Sequence, residues 1–366
     1  MRIGFDAKRA FFNTTGLGNY SRTLIGDLFQ VFPDDEYYFF TPKTNEKYEN
    51  IFAHGQVVIP RHPNPIWRSY GIHHSIRQNE IDVYHGLSNE LPFRIQFSGT
   101  PSVVTIHDVI FDIIKEDFPW IDRTIYRTKT KKAVKDASKI VAISQNTKSD
   151  LIERFDAAEE KIEIIYQPCD PQFDHRSLTH PEKKYFQERY QLPPEFLLYV
   201  GSLMKRKNVL PMIRAWELLD EKIPLLIFGS GHSYYKEITT YISNKRLEKW
   251  VQVRPPVPFE HLPFLYKLAD TVIYPSLYEG FGLPVLEALA CGAKVVTSNV
   301  SSMPEAGGSL PTYITPTDID SIAEGIEKSL RTLPPEKNKL YQHLACFDRV
   351  ESAQQLRRIY KEVIGN

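Results

Sequence analysis

Two glutamates, Glu279 and Glu287, lie eight positions apart in the stretch SLYEGFGLPVLEALACGAKVVTSN, Ser276 to Asn299. Between them stand Gly280, Phe281, Gly282, Leu283 and Pro284. The glycines let backbone N–H groups come close to a ligand, and Pro284 suits the first turn of a helix, where its missing N–H costs nothing. VLEALA continues such a helix to Gly292, which can take the left-handed conformation that ends one. The helix N-terminus adds partial positive charge suited to phosphate. Glutamates at this spacing, taken alone, are more often a solvated loop residue and a helix-surface charge. The surroundings give them a second reading, as groups at a phosphate-binding turn.

A cationic counterpart occurs in YVGSLMKRKNV, Tyr199 to Val209. Gly201 permits a turn with Ser202 behind it, and Arg206 and Lys207 can neutralise a diphosphate, Arg by its planar fork and Lys as a point charge. A lone KRK is otherwise a solvated basic turn. In IFGSG, Ile227 to Gly231, Gly229 and Gly231 would let a nucleotide base or ribose lie against the backbone, although any tight strand-to-helix turn favours glycine. The loop TGLGNYSRTL, residues 15–24, brings Gly16, Gly18 and Tyr20 after the first strand. A dinucleotide site would require a third glycine where Ser21 stands, and an acid ending the second strand, which EYYFFTPK lacks, so a nicotinamide site is excluded. VVTIHDVIF sets His107 and Asp108 at the carboxyl end of a strand; a lone histidine is more often structural, and Asp108 can cap the following turn.

These residues are carried by a rhythm of short β-branched and aromatic runs alternating with amphipathic stretches, the pattern of a parallel sheet with crossover helices. RIGFD, EYYFFT, QVVIP, DVYHG, SVVTIHD and KIVAIS are expected as strands of one unit, with helices over Asn19–Phe32 and Ile121–Ala137. FLLYVGS, PLLIFGSG, VQVRPP, DTVIYPS and AKVVTSN are expected as strands of another. The proline- and charge-rich segment around Pro171 to Leu178 marks the junction. At 366 residues the chain has room for two domains of about 150 residues or more. Lys plus Arg and Asp plus Glu both total 45, so no overall field recruits nucleic acid or an anionic surface, and any basic site must be local. Three scattered cysteines, Cys169, Cys291 and Cys346, suit a reducing compartment and give neither a disulfide framework nor a zinc motif. No apolar run approaches a membrane span, and a cytoplasmic location is expected.

Ser276 to Asn299 closely resembles the E-x7-E signature of retaining glycosyltransferases of family 4, including the GFG and the proline before an apolar helix. YVGSLMKRKNV resembles the GS-x3-RKN segment of the same family. The glycine loop, the HD of His107–Asp108, the S-x-x-T-K beginning at Ser144 and the PE-x-x-G containing Glu305 are also similar, and the likeness runs to the C-terminal helix. There Phe347–Asp348 replaces a frequent tryptophan. The resemblance implies the α/β GT-B architecture, two Rossmann-like doubly wound domains facing an interdomain cleft. Residues 1–172 would bind acceptor, 173–345 the nucleotide sugar, and 346–366 would form a helix crossing back to the first domain.

The same resemblance implies a retaining, metal-independent transfer of a hexose from a nucleotide diphosphate sugar to a glycan or lipid-linked oligosaccharide hydroxyl. That donor is a substrate, and no cofactor is implied. Arg206, Lys207 and the turn of Gly280, Phe281, Gly282 and Leu283 would hold the diphosphate, with Gly201, Ser202, Gly229, Gly231, Gly16 and Gly18 about the donor. Glu287 would hold the ribose, Glu279 the donor sugar, and His107 the transferred sugar or incoming hydroxyl. The departing phosphate would deprotonate the acceptor on the same face. A retaining hydrolase, whose paired carboxylates stand about 5 Å apart, fits the phosphate-binding surroundings less well. A noncatalytic nucleotide-sugar scaffold and a nucleotide-sugar epimerase are the alternatives. The basic, aromatic stretches RHPNPIWRSYGIHHSIR and RTIYRTKTKKAVK are read as solvated faces, or as an acceptor contact or peripheral contact with an anionic membrane on the inner face of the plasma membrane, with Trp67 or Tyr70 at the interface.

Overall fold

In the computed structural model, which describes residues 1–13, 16–60, 66–231 and 233–365, the apolar runs form thirteen strands in two parallel sheets. The first sheet contains β1 (Arg2–Asp6), β2 (Glu36–Phe40), β3 (Gln56–Val58), β4 (Val83–Gly86), β5 (Ser102–Ile106), β6 (Lys139–Ala142) and β7 (Ile162–Ile164), in the order 3-2-1-4-5-6-7. The second contains β8 (Leu197–Val200), β9 (Leu225–Phe228), β10 (Val251–Arg254), β11 (Thr271–Tyr274), β12 (Val295–Ser298) and β13 (Thr312–Ile314), in the order 10-9-8-11-12-13. Both orders reverse beside the first strand of the sheet, the doubly wound arrangement that places ligands beyond the carboxyl ends of the strands. Central strands such as Ser102–Ile106 and Leu225–Phe228 are buried along their whole length, because helices cover both faces.

The chain divides into two compact units, Met1–Pro168 with Asp348–Asn366, and Cys169–Phe347. The first division falls four residues before the one expected at 172, and the second two residues after the one expected at 345. Two strands escaped the sequence reading: β7 (IEI) and β13 (TYI), each three residues long and partly exposed at a sheet edge.

The last helix, Arg349–Gly365, belongs to the first unit for a physical reason visible along its face. Ala353, Leu356, Ile359, Tyr360 and Val363 recur at helical spacing and join the core of Ile3, Phe5, Leu24, Ile25 and Val83. Polar contacts fix its register. Arg357 Nε meets Asp35 Oδ2 at 2.8 Å, the N-terminal amine meets Asp35 Oδ1 at 2.9 Å, and Arg349 pairs with Asp27. The Tyr360 hydroxyl pairs with His85 Nδ1 at 2.6 Å, and His85 Nε2 with Thr105 Oγ1 at 2.9 Å. Burial, with nearby His107, lowers the His85 pKa to about 3, so its ring stays neutral in the core. Tyr360→Phe leaves one His85 ring nitrogen without a partner in a dry site and should destabilise the first unit by about 1–3 kcal/mol, read as a lower urea midpoint.

Candidate active site

Beyond β8, the turn Gly201–Leu203 packs directly on the turn that follows β9. Leu203 N donates to Ser230 O at 2.9 Å, and Gly201 N to Phe228 O at 3.0 Å. A Cβ at Gly229 would stand 2.1 Å from Gly201 O, and one at Gly231 would stand 2.4 Å from Leu203 O. Backbone-to-backbone packing therefore accounts for these two glycines before any base or ribose is considered. Lys205–Lys207 then forms a single 3-10 turn, ended by Asn208 in the left-handed conformation. Leu277 N donates to Arg206 O at 2.8 Å, joining this basic turn to the loop after β11.

That join brings together residues 72 and 73 positions apart. Arg206 Nη1 lies 2.8 Å and Lys207 Nζ 2.5 Å from the same oxygen, Glu279 Oε1. Lys207 also donates to the Tyr274 hydroxyl and sits over its ring, 4.7 Å from the centroid. The carbonyl of Tyr278 accepts from Arg206 at 3.2 Å. Glu279 is 8% exposed and Lys207 7%. Its own backbone is pinned: Glu279 N donates to Ser301 Oγ at 3.0 Å, and the hydroxyls of Ser301 and Ser302 reach Glu279 O at 2.6 and 2.9 Å. Burial pushes the Glu279 carboxyl up, but Lys207 and Arg206 overcome it, and the net shift is downward. The carboxylate is therefore charged at neutral pH, and two cations share one anion. Two cations converging on one carboxylate oxygen make a fixed, water-poor cationic surface of the kind that meets phosphate oxygens.

The chain continues through Gly280 and Phe281, whose ring packs on Phe347 at 5.6 Å, into Gly282 at φ +113°. A side chain there would meet Met303 Cε at 2.5 Å, so both the conformation and the space demand glycine. Helix Leu283–Ala290 starts with Pro284 in its first turn and without a side-chain cap. Gly292 ends it at φ +79°. Glu287, fifth in this helix, is buried, and Tyr266 donates to its Oε2 at 3.4 Å. Burial raises its pKa to about 8, with the Tyr266 hydrogen bond opposing and Asp170 adding to the rise. The two glutamates thus differ in protonation at neutral pH, Glu279 being ionised and Glu287 mostly protonated.

In the first unit, His107 is 4% exposed and both ring nitrogens are engaged. Nε2 lies 2.9 Å from Leu87 O and so carries the proton, while Nδ1 lies 2.9 Å from the Gln167 amide and accepts from it. Tyr20 meets the ring edge-on at 4.6 Å, with its hydroxyl 3.2 Å from Thr105 Oγ1. Burial lowers the His107 pKa to about 4, the Leu87 hydrogen bond opposing and Arg9 assisting. This imidazole is a neutral, fixed group. Asp108 Oδ1 accepts from Ile110 N at 3.1 Å, and Ser144 caps helix Gln145–Phe155 through Thr147 N, as expected of both. Gly16 opens helix Gly16–Val31, and a Cβ there would meet nothing, whereas one at Gly18 would stand 1.8 Å from Asn13 O. Thr15 and residues 61–65 of the basic stretch lie outside the described residues.

Two arrangements were missed. Arg68 Nη2 lies 2.6 Å from Asp6 Oδ2 at the end of β1, and Arg68 Nη1 and Lys129 Nζ reach Glu90 Oε2 at 3.1 and 3.2 Å. The second is the support of Glu279 by Tyr274, Ser301 and Ser302. One expectation is corrected: Trp67 is no interface residue, being 7% exposed in a cluster with Tyr38, Phe40 and Tyr84. Among the described residues, no three His, Cys, Asp or Glu side chains group as metal ligands.

The state of Glu287 generates a pH prediction. An acid whose folded pKa lies above its unfolded value binds more protons folded than unfolded, so stability falls as pH rises from about 4.5 to about 8. Glu287→Gln, which stays neutral, should match wild type near pH 4.5 and exceed it progressively toward pH 8 in ligand-free thermal melts.

A family model described as "Glycosyl transferases group 1" matches residues 182–342, and one described as "Glycosyltransferase Family 4" matches residues 21–173. The O-antigen chain mannosyltransferase B of Escherichia coli is 30% identical over 353 residues, 90% of this chain and 91% of that protein. The crystal structure of a glycosyltransferase from Rickettsia africae ESF-5 superposes with a TM-score of 0.78 at 17% identity, covering 100% of this chain and 99% of that one. Anabaena Alr3699/HepE, crystallised with UDP and glucose, gives a TM-score of 0.73 at 17% identity, covering 99% of this chain and 100% of that one. At such identities the structural likeness shows the fold. The near full-length mannosyltransferase relative and the two models, one on each Rossmann-like unit, establish that the chain belongs to the group 1 glycosyltransferases.

Proposed function

We propose that the protein transfers a mannosyl residue, with retention and without a metal ion, from a nucleoside diphosphate sugar to a hydroxyl of a growing glycan. The observation that carries this reading is the pair of cations on one oxygen of Glu279. They supply the positive charge that a departing diphosphate needs, and the start of helix Leu283–Ala290 adds the positive end of its dipole. The choice of mannose rests on the relative's name, and that of a glycan acceptor on its O-antigen chain.

In this reading, diphosphate takes over the attraction now satisfied by Glu279. The freed carboxylate binds hydroxyls of the donor sugar and supports the oxocarbenium-like charge of the transition state. Glu287, hydrogen-bonded and dry, receives the ribose hydroxyls. His107, held neutral with its ring fixed from two sides, shapes the surface on which the sugar or acceptor rests. The leaving phosphate accepts the acceptor proton on the face it departs from, so Glu279 serves as a supporting group.

Thermal melts in EDTA with UDP, GDP and ADP test the donor site. One nucleotide, at about a hundred times its Kd, should stabilise the wild type by about 2.7 kcal/mol, and Arg206→Ala should lose that effect. Failure of all three at saturating concentration would remove the diphosphate assignment. Glu279→Gln separates binding from chemistry: it should still bind the nucleotide while transfer falls by about two to three orders of magnitude. Product analysis after incubation with GDP-mannose and UDP-glucose, each with and without glycan acceptor, should show an acceptor-dependent glycoside with the donor's anomeric configuration.

A further inference from the structure

A cavity of about 410 Å³ opens in the second unit at the end of helix Leu283–Ala290, where Cys291 and Gly292 form part of its wall. That helix begins at the candidate donor turn, so its length of about 12 Å, at about 1.5 Å per residue, separates the two places. Arg176, Lys183, Lys267 and Lys337 line the cavity, and none of the described residues in its wall is Asp or Glu. Lys267 is the buried cation, its side chain 7% exposed. Asp174 Oδ1, at 2.6 Å, takes one of its three N–H groups, and no second hydrogen-bond partner stands near it among the described residues. Arg176 is held by Glu182, with Nη1 and Nη2 at 3.1 and 2.9 Å from its two oxygens. Lys183 and Lys337 are exposed and have no ion-pair partner among the described residues. Leu178 and Leu340 give the wall an apolar part, and Ser177 and Gln187 add neutral hydrogen-bonding groups.

We propose that this cavity is a second ligand site, which binds a small phosphate monoester of the size of a hexose phosphate. Four cations converge on a wall without carboxylates, a setting that favours a dianion over a neutral sugar. Lys267 supplies the charge that solvent and salt screen least, and Lys183 and Lys337 bring donors on flexible stems to the mouth. The volume falls within the roughly 300–1,000 Å³ of small-molecule sites. The leucines and the neutral hydroxyl and amide groups suit the carbon skeleton and hydroxyls of an ester, which inorganic phosphate lacks. Neither Arg206 nor Lys207 lines the cavity, so the proposal stands apart from the diphosphate assignment.

Isothermal titration of the full chain at low salt with mannose 6-phosphate, mannose and inorganic phosphate tests it. The ester should bind one-to-one and more tightly than inorganic phosphate, with affinity falling as salt rises, and mannose should give no heat. The double variant Lys183→Gln, Lys337→Gln should bind the ester about tenfold more weakly with unchanged circular dichroism and melting. Arg206→Ala should bind it as the wild type does. Absence of ester binding at millimolar concentration would overturn the proposal, as would wild-type affinity in the double variant. Loss of binding in Arg206→Ala, with retention in the double variant, would overturn it by moving the ester to the donor turn. Equal affinity for inorganic phosphate would overturn the ester as the ligand. Nucleotide melts and ester titrations are separate readouts, so either site can fail without the other.

Discussion

A single carboxylate oxygen that receives both Arg206 and Lys207 sets the terms for the second unit. Removing two cations and an anion from water costs several kcal/mol for each ion. A well-packed apolar trio would be at least as stable. The arrangement persists because the backbone around it leaves little alternative. The basic turn is tied to the post-β11 loop through Leu277, and Glu279 is clasped by Ser301 and Ser302. Rigid support of this kind is what a site needs if charge is to be met without reorganisation when a bond breaks. The two cations held on that turn give it a preference for anionic groups.

Opposite environments act on the two glutamates in ways a sequence cannot show. Glu279 is buried beside cations and ionised, whereas Glu287 is buried beside Tyr266 and protonated near neutral pH. Two acids of the same type are thereby given different work, one electrostatic and one of hydrogen bonding. The first unit applies the same burial to imidazoles. His85 and His107 are both kept neutral, and the chain of Tyr360, His85, Thr105 and Tyr20 links the last helix to the ring of Tyr20 that faces His107. The returning helix is thus part of the scaffold behind the histidine.

The parallel α/β character was legible because buried strands are nearly continuous apolar runs, and such runs are sharp against polar helices. Gly292 was legible because a glycine after an apolar helix ends it in the left-handed conformation, whereas Gly282 was read only as a close-approach glycine and its φ of +113° was not foreseen. Side-chain partnerships were not legible. Arg68 and Asp6 are 62 positions apart, and nothing local in either segment announces the other. Tyr274 ends a strand in a position that reads as plain core, and Ser301 and Ser302 read as ordinary turn residues. Trp67 misled because it lies in a basic, aromatic run; its ring is drawn inward by Phe40 and Tyr84, while Tyr70, three residues on, remains outside. Composition reports how much aromatic surface a segment has, and tertiary packing decides which way each ring points.

The eight-residue spacing of the glutamates has a mechanical meaning in this structure. Glu279 is held by contacts to its backbone, so its place is fixed by the loop and by the serines, independently of the helix that follows. Glu287 is placed by helical phase, since a helix advances about 100° per residue and only one position in its second turn can face Tyr266. The segment between must close the distance from loop to helix with Gly282 at φ +113° against Met303, a fit that tolerates neither a side chain nor a shift in register. One residue added before Gly282 would pull Glu279 from its serines, and one added after it would swing Glu287 away from Tyr266. The spacing is therefore the arithmetic of two independently anchored carboxyl groups joined by the shortest turn that can enter the helix, and this explains why the glycines and the proline accompany them.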